Sequence, residues 1–487
     1  MRMGAAQERA GASPLTPVPS PRSGRGMDTF LGCGYLARHG YHFANLDRRH
    51  QSRFRDLVRQ HSHAVNAAVS GLSALPGTRR SFAASRAMTR FLNHEDISFT
   101  ALIEPAQDAI RDALAASPSS FALVVHDWCM FSFQTHDSKL DRYQRSHDRD
   151  LGYELGSALV IDAADGRPLG PMELRLRTAE GMLSTRPGDT ALPPGHVDEL
   201  LDVMTALQAT QPDKTLVHIV DREADSIGHY RQWHTRGHRF LVRADLKRRL
   251  LWQERERPLT EVVAAMALDF QDVPDGDGPT IVTIHAGVGR VRVAETNVVL
   301  HRPARQTVPG KRTAGGHRKQ IDVPGVPLPL RLIVTRVVNA VGKVLAEWCL
   351  LTNLSSKEAN ASTVGRWYAW RWRIETYHKL LKSAGLNAEE WQQESGPAFL
   401  RRLCVASMAC LSVWHLQRDE SAEAARLRSV LVRLSGRQMK HRVESTAPAL
   451  LAGLEKLLAF DDLMQNEDIQ EILALARRVL PKLFHSG

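Results

Sequence analysis

Three carboxylates stand where their surroundings would not put them. Asp127 interrupts the dense β-forming run FALVVHDWCMFSF (Phe121 to Phe133), where β propensity alone would not place an acid. Asp221 closes the strand-like run TLVHIV just where the pattern passes into a helix. Glu375 lies in YAWRWRIETYHKLLK (Tyr368 to Lys382) among Arg371, Arg373, Lys379 and Lys382, with two tryptophans and two tyrosines interleaved. At about 100° per residue on a single α-helix, Tyr368, Arg371, Glu375, Lys379 and Lys382 share a sector of roughly 80°. Trp370, Ile374, Tyr377 and Leu381 fall opposite, so the spacing predicts one helix with a buried apolar stripe and an outward functional face.

Carboxylate oxygens suit a hard cation such as Mg²⁺. Two such ions about 3.5–4 Å apart activate an attacking oxygen and stabilise the leaving one in an in-line displacement at phosphorus. Cations beside Glu375 would hold phosphates and keep the acid ionised, as metal binding requires. Each feature also has a plainer reading. Asp127 and Asp221 serve equally as turn or cap acids, and Arg371–Glu375 and Glu375–Lys379 are i,i+4 pairs of a kind common on solvated helices.

The whole chain narrows the choice. Its 487 residues are 43% apolar, enough for two or more packed domains, and 64 Lys and Arg against 53 Asp and Glu leave a net charge of +11. That excess favours a polyanionic partner such as nucleic acid. Cys33, Cys129, Cys349, Cys404 and Cys410 contain no C-x-x-C pair, which argues against a zinc knuckle or disulfide framework and fits a reducing cytosol. No apolar run approaches the roughly 20 residues of a membrane span, and the first 26 residues lack the apolar core of a leader peptide. HTRGH (His234 to His238) lacks the acid of a zinc protease motif, GVG (Gly287 to Gly289) lacks a third glycine, and no P-loop is present.

Several elements must bring the three acids together. Helical periodicity runs from Leu46 to Leu72 and again from Ser85 to Phe91, continuing through LNHEDIS into another helix. YELGSALVIDAADGRPLGPMELRLRT (Tyr153 to Thr178) reads as two strands turning at Asp165-Gly166; a helix over Val197 to Gln208, the strand before Asp221 and a strand in HRFLVRAD follow. This order predicts an α/β layer around a mixed sheet, with acids at strand ends, where open sheets keep their chemistry. Farther on, PTIVTIHAGVGRVRVAETNVVLHRP, LRLIVTRVV and EWCLLTNL alternate at period two, while ARQTVPGKRTAGGHRKQ reads as an exposed Gly- and Lys/Arg-rich loop. Past Ala398 the chain reads as helical, with apolar stripes in FLRRLCVASMACLSVWHL and IQEILALARRVLPKLF that suit a core or a dimer face.

At these residues the sequence resembles the DDE-class transposases of the IS-four family of bacterial insertion sequences. Tyr368, Arg371, Glu375 and Lys382 match the spacing Y-x2-R-x3-E-x6-K, supported by DREAD from Asp221 and by HD at Asp127. The resemblance implies an α/β fold: an RNase H-like catalytic core with a β-rich insertion, flanked by an N-terminal helical DNA-binding domain and a C-terminal helical region. The expected layout is a disordered tail over 1–26, the N-terminal domain over 27–115, core over 116–246, insertion over 247–345, core with the Glu helix over 346–395, and helices over 396–487. It further implies that Asp127, Asp221 and Glu375 are catalytic and bind two Mg²⁺ ions, with Mn²⁺ a substitute. Tyr368, Arg371, Lys382, Arg243, His378 and Lys379 would contact DNA, and Trp348 would stack a flipped base, its plainer reading being a core tryptophan. Partners would be double-stranded DNA, both the terminal inverted repeats and the target, and a second subunit in a homodimer. The setting would be the bacterial cytoplasm and nucleoid, with no membrane. The expected activity is Mg²⁺-dependent cleavage and strand transfer through a hairpin. A catalytically silent DNA-binding remnant, or an RNase H-like nuclease that does not join, are the alternatives.

Overall fold

A computed structural model describes residues 46–63 and 81–479, less 146, 148, 189–191, 194, 211–212, 274–280, 285–286, 313–317, 383–384, 440–442 and 467. The expected tail over 1–26 lies outside the described residues, as does the onset of the N-terminal domain.

The expected strand order appears in the first half of the chain. The run around Asp127 forms β1 (Phe121–Ser132), β2 is Leu151–Asp162, β3 is Pro168–Arg177 and β4 is Met182–Ser184. The β2–β3 turn passes through Gly166 at φ 75°. A helix, α4 (Leu200–Thr210), precedes β5 (Thr215–Val220), and α5 (Ile227–Thr235) leads to β6 (Arg239–Arg243). Among these strands the sheet runs β4-β3-β2-β1-β5-β6. The pairs from β4 to β1 are antiparallel, and β1–β5 and β5–β6 are parallel. Parallel pairs need a crossover, and α4 and α5 supply them. With helices packed on it, the sheet is buried on both faces; β2 is buried at every position but its ends.

The β-rich region continues this same sheet. β7 (Gly287–Leu300), β10 (Leu328–Val338) and β11 (Val344–Thr352) extend it antiparallel, with β11 pairing to β6 through Leu350↔Arg243. The basic Gly-rich segment differs from the expected loop. It forms a separate two-stranded ribbon, β8 (Ala304–Arg312) with β9 (Arg318–Val323). Its pairing is regular only from Ala304 to Thr307 and shifts register before Arg312, across Pro309 and Gly310.

Helices α1 (Arg48–His63), α2 (Ser81–Leu92) and α3 (Phe99–Ala116) all pack against α8 (Gly396–Arg418). Arg401 of α8, itself buried, donates to the carbonyls of Leu92 and Ile97 at 3.0 and 2.9 Å. The described N-terminal helices therefore rest on α8. By length and composition α8 could cross a bilayer, but 89% of its most apolar window is buried inside the protein, as in a core helix. The last helices are α9 (Ala422–Ser435), α10 (Ala447–Asn466) and α11 (Ile469–Val479), and α11 has no buried residue.

Between sheet and α8 lie two helices where the sequence predicts one. α6 (Ala361–Ala369) ends and α7 (Trp372–Leu381) begins around Trp370 and Arg371. At the break the backbone tightens to i+3 bonds: Arg371 N–H to Tyr368 O, Arg373 N–H to Trp370 O and Ile374 N–H to Arg371 O. The single-helix wheel therefore fails at its N-terminal end. Tyr368 and Arg371 are buried, at 3% and 8% exposure, whereas Trp372 is 53% exposed.

Candidate active site

Asp127 and Asp221 are brought side by side by strand register. In the parallel β1–β5 pair Val125 stands opposite Ile219, and each strand then runs two residues to its acid. Asp221 caps the short turn Arg222–Ala224, accepting from the Glu223 N–H at 2.8 Å. Asp127 accepts from the Trp128 N–H at 2.9 Å. Glu375, in the first turn of α7, reaches the same place from the other side of the cleft.

One guanidinium links the acids. Arg371 donates through Nη1 to Asp127 Oδ2 at 3.3 Å and through Nη2 to Glu375 Oε1 at 3.1 Å. The tightened turn before α7 presents this side chain to β1. Burial pushes the Asp127 carboxyl up to about 6, although the Trp128 N–H and Arg371 favour its charged form; Asp221 and Glu375 add to the rise.

Asp127, Asp221 and Glu375 line one cleft of about 620 Å³, together with Trp128, Arg371, His378, Lys379, Lys382 and Glu389. Lys379 is exposed at its mouth. Lys382 donates to Met130 O at 2.7 Å and pairs with Glu389 at 3.0 Å, and the same Glu389 oxygen accepts from the Ser132 N–H at 2.8 Å. His378 is buried against Ser157 Oγ at 3.4 Å, and burial, with Lys382 and Arg371 nearby, pushes its imidazole down to about 3. Tyr368, Arg243 and Trp348 are not among the residues that line the cleft. Tyr368 is buried beside Arg371, Arg243 is half-buried at the end of β6, and Trp348 is half-buried on β11 opposite Thr335.

Sequence reasoning missed several groups that shape the cleft. Glu389 carries no motif. His196 joins both acid-bearing segments: it stacks on Trp128, with ring centroids 4.3 Å apart and planes 18° apart, and its Nε2 lies 2.9 Å from Glu223. Trp128 is fixed by a 2.8 Å bond from its indole N–H to Glu199, which also pairs with the buried Arg175 at 2.9 Å. Gly156 makes the space, since a Cβ there would lie 3.1 Å from the indole and 2.9 Å from Arg175. Only the unusual acid and tryptophan within β1 could have signalled any of this.

With the side chains as they lie, no group of three or more His, Cys, Asp or Glu among the described residues forms a metal site; the Arg371 guanidinium bonds Asp127 and Glu375 instead. The donor set still fits a divalent cation. It consists of carboxylate oxygens, and burial and like charge already disfavour ionised Asp127, which a cation would relieve.

Residues 194–411 match the family model described as the transposase DDE domain. The match takes in Asp221 and Glu375, ends in α8, and begins after Asp127. It supports a DDE transposase, a class of nuclease-type enzymes that act on DNA. Among curated proteins none matches the chain.

Proposed function

We propose that this protein is a transposase of the IS-four type that binds insertion-sequence ends as a homodimer and cleaves and joins DNA by phosphoryl transfer on an RNase H-like core. The observation that carries the reading is the convergence of Asp127, from the middle of β1, Asp221, just past the end of β5, and Glu375, from α7, on a single cleft edged by Arg371, Lys379 and Lys382. Asp127, Asp221 and Glu375 would hold two Mg²⁺ ions, or Mn²⁺, which when bound supply activation of the attacking oxygen and charge for the leaving one. The Arg371 fork, which spans two carboxylates, has the geometry to span two phosphate oxygens. Lys379 offers its ammonium at the mouth, and Lys382 does so once a phosphate replaces Glu389. Water serves for the first cut and the freed 3′-OH for the hairpin and transfer steps, since each is the same displacement at phosphorus.

The test is incubation with duplexes bearing the element's terminal repeats and Mg²⁺, resolving cleaved, hairpin and joined strands. Joined products that vanish with Asp127→Ala, Asp221→Ala or Glu375→Ala support the reading. Binding without cleavage would indicate a silent DNA-binding remnant, and cleavage without joining a nuclease.

A further inference from the structure

The ribbon β8–β9 packs against the core at Ala304, beside its root. Its register sets Arg305 opposite Asp322, Gln306 opposite Ile321 and Thr307 opposite Gln320. One face thus carries Arg305, Gln320 and Asp322 and the other Ala304, Gln306, Ile321 and Val323; Ala304 and Val323 are half-buried at the root, Ala304 against the core, while Arg305, Gln306, Lys319, Gln320, Ile321 and Asp322 are exposed. Beyond that root no described ribbon residue is buried, and an isolated two-stranded hairpin is marginal in water. Among the described residues the ribbon also pairs with no strand of the central sheet.

Its charge is one-sided. Between Glu295 and Asp322 the sequence has Arg302, Arg305, Lys311, Arg312, Arg318 and Lys319 and no acid. Arg302, at the root, pairs with Glu256 at 2.6 Å; no ion pair among the described residues engages Arg305 or Lys319. The root is pinned to the catalytic body. Arg231 of α5, the helix that follows the Asp221 turn, donates to Val326 O at 2.8 Å and Arg302 O at 3.0 Å. Gly325 leaves room for it, since a Cβ would lie 2.6 Å from the Arg231 guanidinium. A fixed base and a cationic, polar-faced ribbon suit the phosphates of a duplex, whose grooves admit a two-stranded ribbon.

We propose that β8 and β9 form an arm that grips the phosphate backbone of duplex DNA outside the cleft, an inference that rests on the DNA-processing reading above. The test compares the full-length protein with the variant Arg305→Gln/Arg312→Gln/Arg318→Gln/Lys319→Gln, measuring affinity from 50 to 300 mM salt. One duplex carries the element's end and one is unrelated in sequence. Every phosphate that the variant no longer neutralises lowers the slope of log K against log salt by about 0.9, so the slope should fall by about 2–4. A fall on the end duplex alone assigns the arm to element DNA, and a fall on both assigns it to any duplex, the target included. As a readout independent of those substitutions, Gln306→Cys carrying a photoreactive group should cross-link to the same duplex. Unchanged slopes with no cross-link overturn the arm while the function stands. A wild-type protein that binds neither duplex overturns the function, and the arm with it.

Discussion

Asp127 is the residue where stability and chemistry oppose each other. Its carboxyl rises from the ordinary range to about 6 because burial penalises its charge. In the absence of divalent ions the folded state therefore holds the Asp127 proton more tightly than the unfolded chain does, and stability is lost as pH rises from about 4 to about 6. Asp127→Asn should abolish cleavage, by roughly 10³-fold or more if several kcal/mol of metal-dependent stabilisation is lost. The same change should stabilise the protein by roughly 1–3 kcal/mol at pH 8 in EDTA, with no gain near pH 4. Thermal unfolding at both pH values checks this; a lower melting temperature at pH 8 would contradict it. Arg371→Lys keeps the charge but cannot bond Asp127 and Glu375 together through a planar fork, and cleavage should fall about ten-fold or more, read under single-turnover conditions.

At the scale of elements, the cleft depends on three segments that share no local sequence. The strand register of β1 and β5 aligns two acids, the tightened turn before α7 delivers the third, and His196 ties the Asp221 turn to β2 and Trp128. Burial disfavours charge on His196, but the carboxylates of Glu154 and Glu223 outweigh it and hold the imidazole up to about 9. A raised histidine contributes stability that is full below about pH 6.5 and is lost as pH rises through about 9. Relative to wild type, His196→Gln should cost roughly 1–2 kcal/mol at pH 6.5 and little at pH 10, which denaturant melts at the two pH values would show. A cost independent of pH would mean the ring acts by packing alone.

Across the whole molecule, α8 joins the described N-terminal helices to the central sheet. Arg401→Met would leave the Leu92 and Ile97 carbonyls without their buried donor, at a cost of about 1–3 kcal/mol. Limited proteolysis should then cut first between α2 and α3. Unaltered cleavage kinetics there would show that packing along α8, not this cation, fixes α1 and α2. The polar-faced ribbon adds a second role for the β-rich region, which otherwise widens the central sheet and supports β11 beside β6.

How much of this was legible in the sequence follows from the range of the forces involved. Dense β-forming runs marked β1, β5 and β6, and alternation marked β2 and β3, each to within a few residues, because β propensity is carried by a strand's own side chains. Asp127 stood out because an acid in an apolar run is costly to bury, Asp221 because it closes a strand, and Glu375 because it is the one acid among Arg371, Arg373, Lys379 and Lys382. What the sequence could not display are meetings that require the folded register: Glu389 with Ser132, 257 positions apart, His196 between Trp128 and Glu223, and Arg371 bridging two carboxylates. The break before α7 belongs with these, since both helical halves have helical periodicity and the i+3 bonds between them appear only in the folded chain. Local propensity wrote the elements; packing of the sheet against α7 and α8 determined which charges must face each other.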